Sequence, residues 1–273
     1  MGGAMLDGWL DQGVRTSDVA VIEPSGEIGR ANIAVAKDIH GLPAGFTPDV
    51  VVLAVKPQMM DAALPPYARF KDALFLSIAA GKTLAYFEKA LGDVAIVRAM
   101  PNTPAAVRRG MTVVVPNAKA SAAQRQAAEA LLGSVGDVAW VEDEGLMDAV
   151  TALSGSGPAY VFLLAEVMAQ AGVAAGLPEE LAARLARATV SGSGELLNRS
   201  TDSAAQLRQN VTSPNGTTFA ALQVLMADDG MAPLMTKAVA AATLRSKELA
   251  SSLSFRSASS LSGNSPFSFV ASQ

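Results

Sequence analysis

The chain of 273 residues has no cysteine and a single histidine, His40. Without cysteine there is no disulfide scaffold, no thiol nucleophile and no Cys-ligated zinc; one histidine leaves neither a histidine metal cluster nor a hydrolase triad of the usual kind. Aromatics are scarce, at 5%, although hydrophobic residues reach 50%. The apolar content is therefore Ala, Val, Leu and Met, which favours helix-rich or α/β packing over an aromatic-cored sandwich. Lys+Arg 21 against Asp+Glu 25 gives a formal net charge of −4, so a nucleic-acid binder's electrostatic footprint is absent. Long uninterrupted hydrophobic runs are missing too. The most apolar stretch, 159–177, contains Glu166 and Gln170 and is flanked by Pro158 and Pro178. The start, MGGAMLDGWLDQG, carries Asp7 and Asp11 where a signal peptide needs a basic flank and an apolar run. The expectation is no membrane partner and a cytoplasmic location.

What is present is an ordered pattern. The length suggests one large or two ordinary domains at ~150 residues each. From Val19 to about Val141, short β-branched runs alternate with Ala-rich polar stretches, which predicts βαβ units and a parallel sheet. Strands are expected at 19–23, 50–55, 74–78, 94–99, 111–115 and 138–141. VVVLAV and LFLSI are continuous rather than alternating, as in central strands covered on both faces. Helices are expected at 83–91 and 121–132, the latter with Ser121 as N-cap. After Asp143 the strand signal gives way to long Ala/Leu-rich helical patterns. The expected domains are thus a dinucleotide-binding α/β domain over 1–143 and an all-helical domain over 144–250. A Ser-rich tail over 251–273, with one charged residue, Arg256, is expected to be without order.

Several segments bear chemistry. Gly2 and Gly3 open an amphipathic helix, in the place of the third glycine of a dinucleotide fingerprint; no strand or further glycines stand before it. Glu23 ends the first visible strand, near the ~20-residue spacing at which an acidic side chain binds an adenosine ribose hydroxyl, which favours NAD. Ser25 and Arg30 follow at once and could hold a 2′-phosphate instead. Lys56-Pro57, Ala79-Ala80-Gly81 and Met100-Pro101-Asn102-Thr103-Pro104 follow three expected strands, where an open parallel sheet binds ligands. Pro101 and Pro104 stiffen the loop holding Asn102, whose amide could bond a carboxamide. In NVTSPNGTTFAALQVLM, 210–226, Ser213, Thr217 and Thr218 supply donors and Gly216 allows close backbone approach at a helix start, a pattern equally suited to an anion site or to plain capping. Ser154-Gly155-Ser156-Gly157-Pro158 matches neither a Walker loop nor a nucleophile elbow and reads as a break between packed helices. His40, beside Gly41, reads as a loop residue.

Taken in order, MGGAML, EPS, LAVKPQ, SIAAGKTL, RAMPNTPA, SGSGPAYVF and VTSPNGTT resemble the pyrroline-5-carboxylate reductase family over residues 1 to about 249. The resemblance implies a Rossmann-like N-terminal domain that binds NADP, with NAD the alternative, and an all-α C-terminal domain that forms homodimers or larger homo-oligomers. It implies reduction of 1-pyrroline-5-carboxylate to L-proline, the last step of proline biosynthesis, with no metal. Lys56, Pro57, Ala79, Gly81 and Asn102 fall beside the cofactor, with Gly2 at the fingerprint helix and Ser25 near the adenosine ribose. Ser213, Gly216, Thr217 and Thr218 fall in the loop that grips the substrate carboxylate, and Thr218 corresponds to the hydroxyl near the imine nitrogen. Asn215 stands where family members usually have glycine. Family chains also usually carry a first strand and two more glycines before MGG. A catalytically impaired structural dimer is therefore one alternative, and a β-hydroxyacid dehydrogenase-like oxidoreductase another. The latter needs a lysine in the helical domain, where the sequence offers Lys237 and Lys247 in the last helix.

Overall fold

The computed structural model describes residues 1–43 and 45–256. The chain divides into two units, Met1–Gly155 with Ala242 onward, and Ser156–Ala241.

The first unit opens on helix α1 (Gly2–Asp11), with no strand before it among the described residues, and runs β1 (Ala20–Ile22), β2 (Ala34–Ala36), β3 (Val50–Leu53), α2 (Met60–Ala63), β4 (Leu74–Ser77), α3 (Leu84–Leu91), β5 (Ala95–Met100), β6 (Gly110–Pro116), α4 (Ala122–Gly133), β7 (Gly136–Trp140) and α5 (Met147–Val150). β1 and β2 pair in parallel as a separate ribbon; the main sheet has the order β3-β4-β5-β6-β7. Three expectations need correction. β2 is not among the expected strands, because three residues of an Ala-rich stretch carry too little pattern to register. β3 is an edge of the main hydrogen-bonded sheet rather than a central strand, and its exposure alternates accordingly. The sheet is also mixed: β5 pairs β6 antiparallel. Their connection is a short loop with a 3₁₀ turn at Thr103–Val107, too short for the crossover that parallel pairing requires.

β4 is buried on both faces, as its unbroken apolar run requires. Leu74 and Leu76 join Met5 of α1 and Ala128 and Leu132 of α4 in one core layer. Phe75 faces the other way, with Phe87 and Leu91 of α3 and Ile96. α4 starts on a reciprocal capping box between Ser121 and Gln124, and Thr83 caps α3 by accepting from Tyr86 N–H. At Gly8 a Cβ would lie 2.9 Å from atoms of Ser134 and Val135, so glycine is what lets α1 close onto the end of α4. His40 lies exposed in a 3₁₀ turn capped by Asp38.

The second unit holds α6 (Gly157–Ala174), α7 (Glu179–Arg199), α8 (Ala204–Asn210), α9 (Thr217–Leu225) and the first part of α10 (Met231–Arg256). α6 and α7 pack closely where a Cβ on Gly172 would sit 3.1 Å from that of Ala182. Across α6, α7, α8 and α9 only Ala182 and Ala186 are buried, and Phe162, Val224 and Leu234 are each more than two thirds exposed. By length and composition, the helical stretch Glu144–Ala174 is apolar enough to cross a membrane, whereas the run 159–177 taken alone predicts no such helix. The two views differ because the helical stretch starts well before 159 and carries few charges; Met147 and Ala152 in its first part are buried, whereas no residue of α6 is. α10 continues to Arg256, into the tail expected to lack order; the rest of that tail lies outside the described residues.

Candidate functional site

The expected ligand positions of the first unit follow the ends of β1, β3, β4 and β5, of which β3, β4 and β5 are neighbours in one sheet and β1 belongs to the separate ribbon. Glu23 continues β1, its N–H donating to Ala36 O at 2.8 Å. The residue is only 1% exposed. Oε1 accepts from Ser25 N–H at 3.2 Å, while Oε2 has no hydrogen-bond partner. An unmade hydrogen bond at a buried polar atom costs ~1–3 kcal/mol. Ser25 spends its hydroxyl locally, donating to Glu27 O at 3.2 Å and accepting from Glu27 N–H at 3.3 Å. Arg30 grips Asp7 of α1 with two hydrogen bonds of 2.6 Å and donates to Ile28 O and Gly3 O at 2.9 and 3.3 Å. The Arg30 hydrogen bonds hold the Asp7 carboxyl below its usual range, against opposition from burial. The loop after β1 is thereby fastened to the first turn of α1, where Gly2 and Gly3 lie and no side chain caps the helix.

Lys56 is exposed and extended before Pro57, which starts a 3₁₀ turn leading into α2. After β4, Ala79 is buried and its N–H donates to Ser77 Oγ at 3.3 Å; Gly81 has φ +73°, a conformation that favours glycine. Lys82, also buried, reaches back to Asp61 of α2 at 3.4 Å and lies 3.8 Å from the centre of the Tyr86 ring. Tyr86 donates its hydroxyl proton to Asp61 as well. Burial first, and Asp61 second, raise the Tyr86 pKa above its ordinary value. This triad holds the loop after β3 against the loop after β4.

After β5, Asn102 Oδ1 accepts from Met111 N–H at 3.0 Å, and Nδ2 donates to the carbonyl and hydroxyl oxygens of Ser154, both at 3.3 Å. The amide expected to meet a ligand is thus engaged by the chain itself. It pins the π-helical turn Thr151–Gly155 that separates α5 from α6, where the end of the Met100 side chain lies over Gly155, 2.6 Å from where a Cβ would stand. Within β5, Arg98 is 5% exposed and donates to Glu144 Oε1 at 2.6 Å; the same oxygen accepts from Leu84 N–H at 2.8 Å. Lys82, Asp61, Arg98 and Glu144 are not among the residues expected from the sequence. A visible signal existed for Arg98, a lone charge inside the apolar strand AIVRAM, since a buried charge requires a partner.

In the second unit, Asn215 adopts φ +58°, the left-handed conformation that asparagine tolerates. Gly216 N–H donates to Ser213 O at 3.1 Å, and Gly216 begins α9 with no side-chain cap. The hydroxyls of Ser213, Thr217 and Thr218 are therefore not spent on capping. Ser213 and Thr217 are exposed, and Thr218 is half-buried. Among the described residues no group of three or more His, Asp or Glu side chains is placed to hold a metal ion.

A nucleotide-type α/β unit with its loops gathered at strand ends, followed by a helical unit with an uncapped hydroxyl-rich helix start, is the class that fold and site define. The family model for pyrroline-5-carboxylate reductase dimerisation matches residues 144–249. A pyrroline-5-carboxylate reductase of Pseudomonas aeruginosa is 44% identical over 261 residues, covering 93% of this chain and 94% of the relative. The solved structure of one from Coxiella burnetii is 35% identical with a TM-score of 0.83, covering 90% of this chain and 93% of that one. A Plasmodium falciparum pyrroline carboxylate reductase, solved with NADP bound, is 29% identical with a TM-score of 0.75, covering 92% and 94%. The chain belongs to the pyrroline-5-carboxylate reductase family. The matched dimerisation segment begins at 144, ahead of the division at Gly155; within that overlap Glu144 bonds to Arg98 of β5 and Ser154 to Asn102 of the following loop.

Proposed function

We propose that this chain reduces 1-pyrroline-5-carboxylate to L-proline with NADPH or NADH, in the cytoplasm, as a homodimer or larger homo-oligomer. The observation that carries the reading is the 44% identity to a pyrroline-5-carboxylate reductase across 93% of the chain, which spans both units. These relatives do not favour the impaired dimer or the β-hydroxyacid dehydrogenase-like alternative.

The orphaned Oε2 of buried Glu23 and the uncapped first turn of α1 fit the adenosine ribose and an adjoining anionic group of a dinucleotide. Gly2, Ser25, Lys56, Pro57, Ala79 and Gly81 are the residues proposed to line that ligand. When bound, the reduced nicotinamide supplies a hydride for C5 of the imine. The C=N bond becomes a C–N single bond, and the nitrogen takes a proton. An imine carbon is already electrophilic, so the chain's task is chiefly to orient and to exclude water. Ser213, Gly216 and Thr217 hold the substrate carboxylate through hydroxyls and backbone N–H groups at the start of α9, where the helix dipole favours an anion. Thr218 orients the imine nitrogen and the water that protonates it; a threonine hydroxyl is itself a poor acid. Asn102 contributes by fixing the loop after β5. The apolar side chains left exposed on α6 and α9 are what a second copy of the chain covers.

The test is oxidation of NADPH or NADH by the purified chain, followed by absorbance. Turnover is expected only with the imine supplied; no turnover with either dinucleotide sinks the proposal.

A further inference from the structure

The sheet holds β3 and β4 together only as far as Ile78, whose N–H donates to Leu53 O at 3.2 Å. Past that point the chain runs into Lys56 and Pro57 on one side and Ala79 and Gly81 on the other, and among the described residues no backbone hydrogen bond joins these two loops. Val55, Met60 and Ala79 share one apolar layer, but apolar contact is non-directional. Direction comes from three side chains. Lys82, next to Gly81, has its side chain 3% exposed, and its ammonium donates to Asp61 Oδ1 at 3.4 Å. The ammonium stands 3.8 Å from the centre of the Tyr86 ring, and the Tyr86 hydroxyl donates to the same carboxylate oxygen. Asp61 lies in α2, which the 3₁₀ turn at Pro57–Met59 leads into, and Tyr86 lies in the first turn of α3. One carboxylate therefore ties the helix that follows the first loop to the helix that follows the second. A buried ammonium is costly unless paired, and an apolar side chain in its place would be about as stable. What the ion pair adds is a fixed spacing.

We infer that Lys82 and Asp61 are positioning residues for the dinucleotide: their ion pair sets the spacing between the loop after β3 and the loop after β4 before the ligand arrives. The inference rests on the dinucleotide reading above and deepens it, naming residues that act through the two loops rather than on the ligand. Its signature is a split between affinity and turnover. Without the pair only a fraction of the chains presents both loops at the right spacing, and the apparent dissociation constant rises by the inverse of that fraction. Bound dinucleotide restores the spacing, so the hydride step at saturation is unaffected.

Lys82→Met removes the cation without stranding a buried charge and should melt within ~4 °C of the unaltered chain. Calorimetric titration of the full chain with NADPH and with NADH is expected to show the preferred dinucleotide bound at least about tenfold more weakly by this variant. The KM for that dinucleotide should rise by a similar factor, while kcat and the KM for the imine stay within about twofold. Asp61→Asn, which keeps the shape and removes the charge, is expected to act in the same way. Asp61→Glu, on a side chain 57% exposed, keeps the charge and should retain affinity to within about threefold. Failure of both dinucleotides to bind the unaltered chain overturns the dinucleotide reading and the inference with it. Binding by the unaltered chain together with an affinity changed less than twofold in folded Lys82→Met overturns the inference alone. A fall in kcat with the dinucleotide affinity unchanged overturns it too, as does an equal loss of affinity in Asp61→Asn and Asp61→Glu. Where circular dichroism shows Lys82→Met to be unfolded, Asp61→Asn decides by the same measures.

Discussion

Removing Glu144 and removing Arg98 should have very different consequences, although the two side chains form one ion pair. Arg98 lies within β5 with its side chain 6% exposed, whereas the Glu144 side chain is 27% exposed. Glu144→Ala strands a guanidinium in the core, and breaking a buried pair from one side costs ~3–5 kcal/mol. It also takes the acceptor from Leu84 N–H at the start of α3, worth ~1 kcal/mol. Arg98→Met fills the space with an apolar chain and leaves a carboxylate that keeps Leu84 N–H and reaches water, at a cost of ~1 kcal/mol. For a chain of this size each kcal/mol moves Tm by ~2–4 °C, so the first variant should melt ~8–24 °C lower and the second within ~4 °C of the unaltered chain. The double variant should fall only ~1 kcal/mol below Arg98→Met, the value of the lost Leu84 acceptor, since the stranded cation is gone, giving a coupling of ~2 kcal/mol or more. Urea unfolding at one fixed protein concentration measures this, because association shifts apparent stability. A loss from Arg98→Met equal to or above that from Glu144→Ala would refute the asymmetry and the burial argument behind it.

Three further outcomes are expected. Thr218→Ala should lower kcat at least about tenfold while calorimetric affinity for the dinucleotide is unchanged, since its hydroxyl is assigned to the imine and not to the cofactor. Gly81→Ala forces a side chain into φ +73°, at ~1–2 kcal/mol, and should weaken dinucleotide binding about tenfold; an unchanged Kd would detach this turn from the cofactor. Burial, aided by the Asp38 charge, pushes the Tyr67 hydroxyl up to about 12 from 10.0. Because the folded chain holds the proton more tightly, this stabilisation is present below pH 10 and is lost between about pH 10 and 12. Urea midpoints across that range should fall less steeply in Tyr67→Phe.

The sequence exposed those parts of the fold governed by local pattern. LFLSI became the two-sided strand β4 because a run without polar alternation fits only between two apolar layers. Ser121 was legible as a cap because its partner Gln124 is three residues away. Strand direction was not legible: the antiparallel step at β6 depends on a loop being short in space, and RAMPNTPA carries no sign of which way the chain leaves it. At the site, the loops were legible by position and their internal bonds were not. Asn102 read as a free amide since Ser154, its partner, lies 52 residues away, and Lys82 and Asp61 are joined across 21. Glu23 was legible as an acid at the right spacing. Which of Glu23, Ser25 and Arg30 remains available depends on Asp7, a residue with no sequence link to that loop.

The scarcity of buried side chains in α6 to α9 has a genetic consequence. In the proposed homodimer, helices that have only Ala182 and Ala186 buried within their own chain complete their core with residues of a second copy, so a substitution there would be felt by both members of a pair. In a cell expressing an altered and an unaltered copy together, mixed pairs would inherit part of the defect. Lesions on these helices should then behave as partly dominant, whereas lesions in the Leu74–Ser77 layer, confined to the chain that bears them, should be recessive.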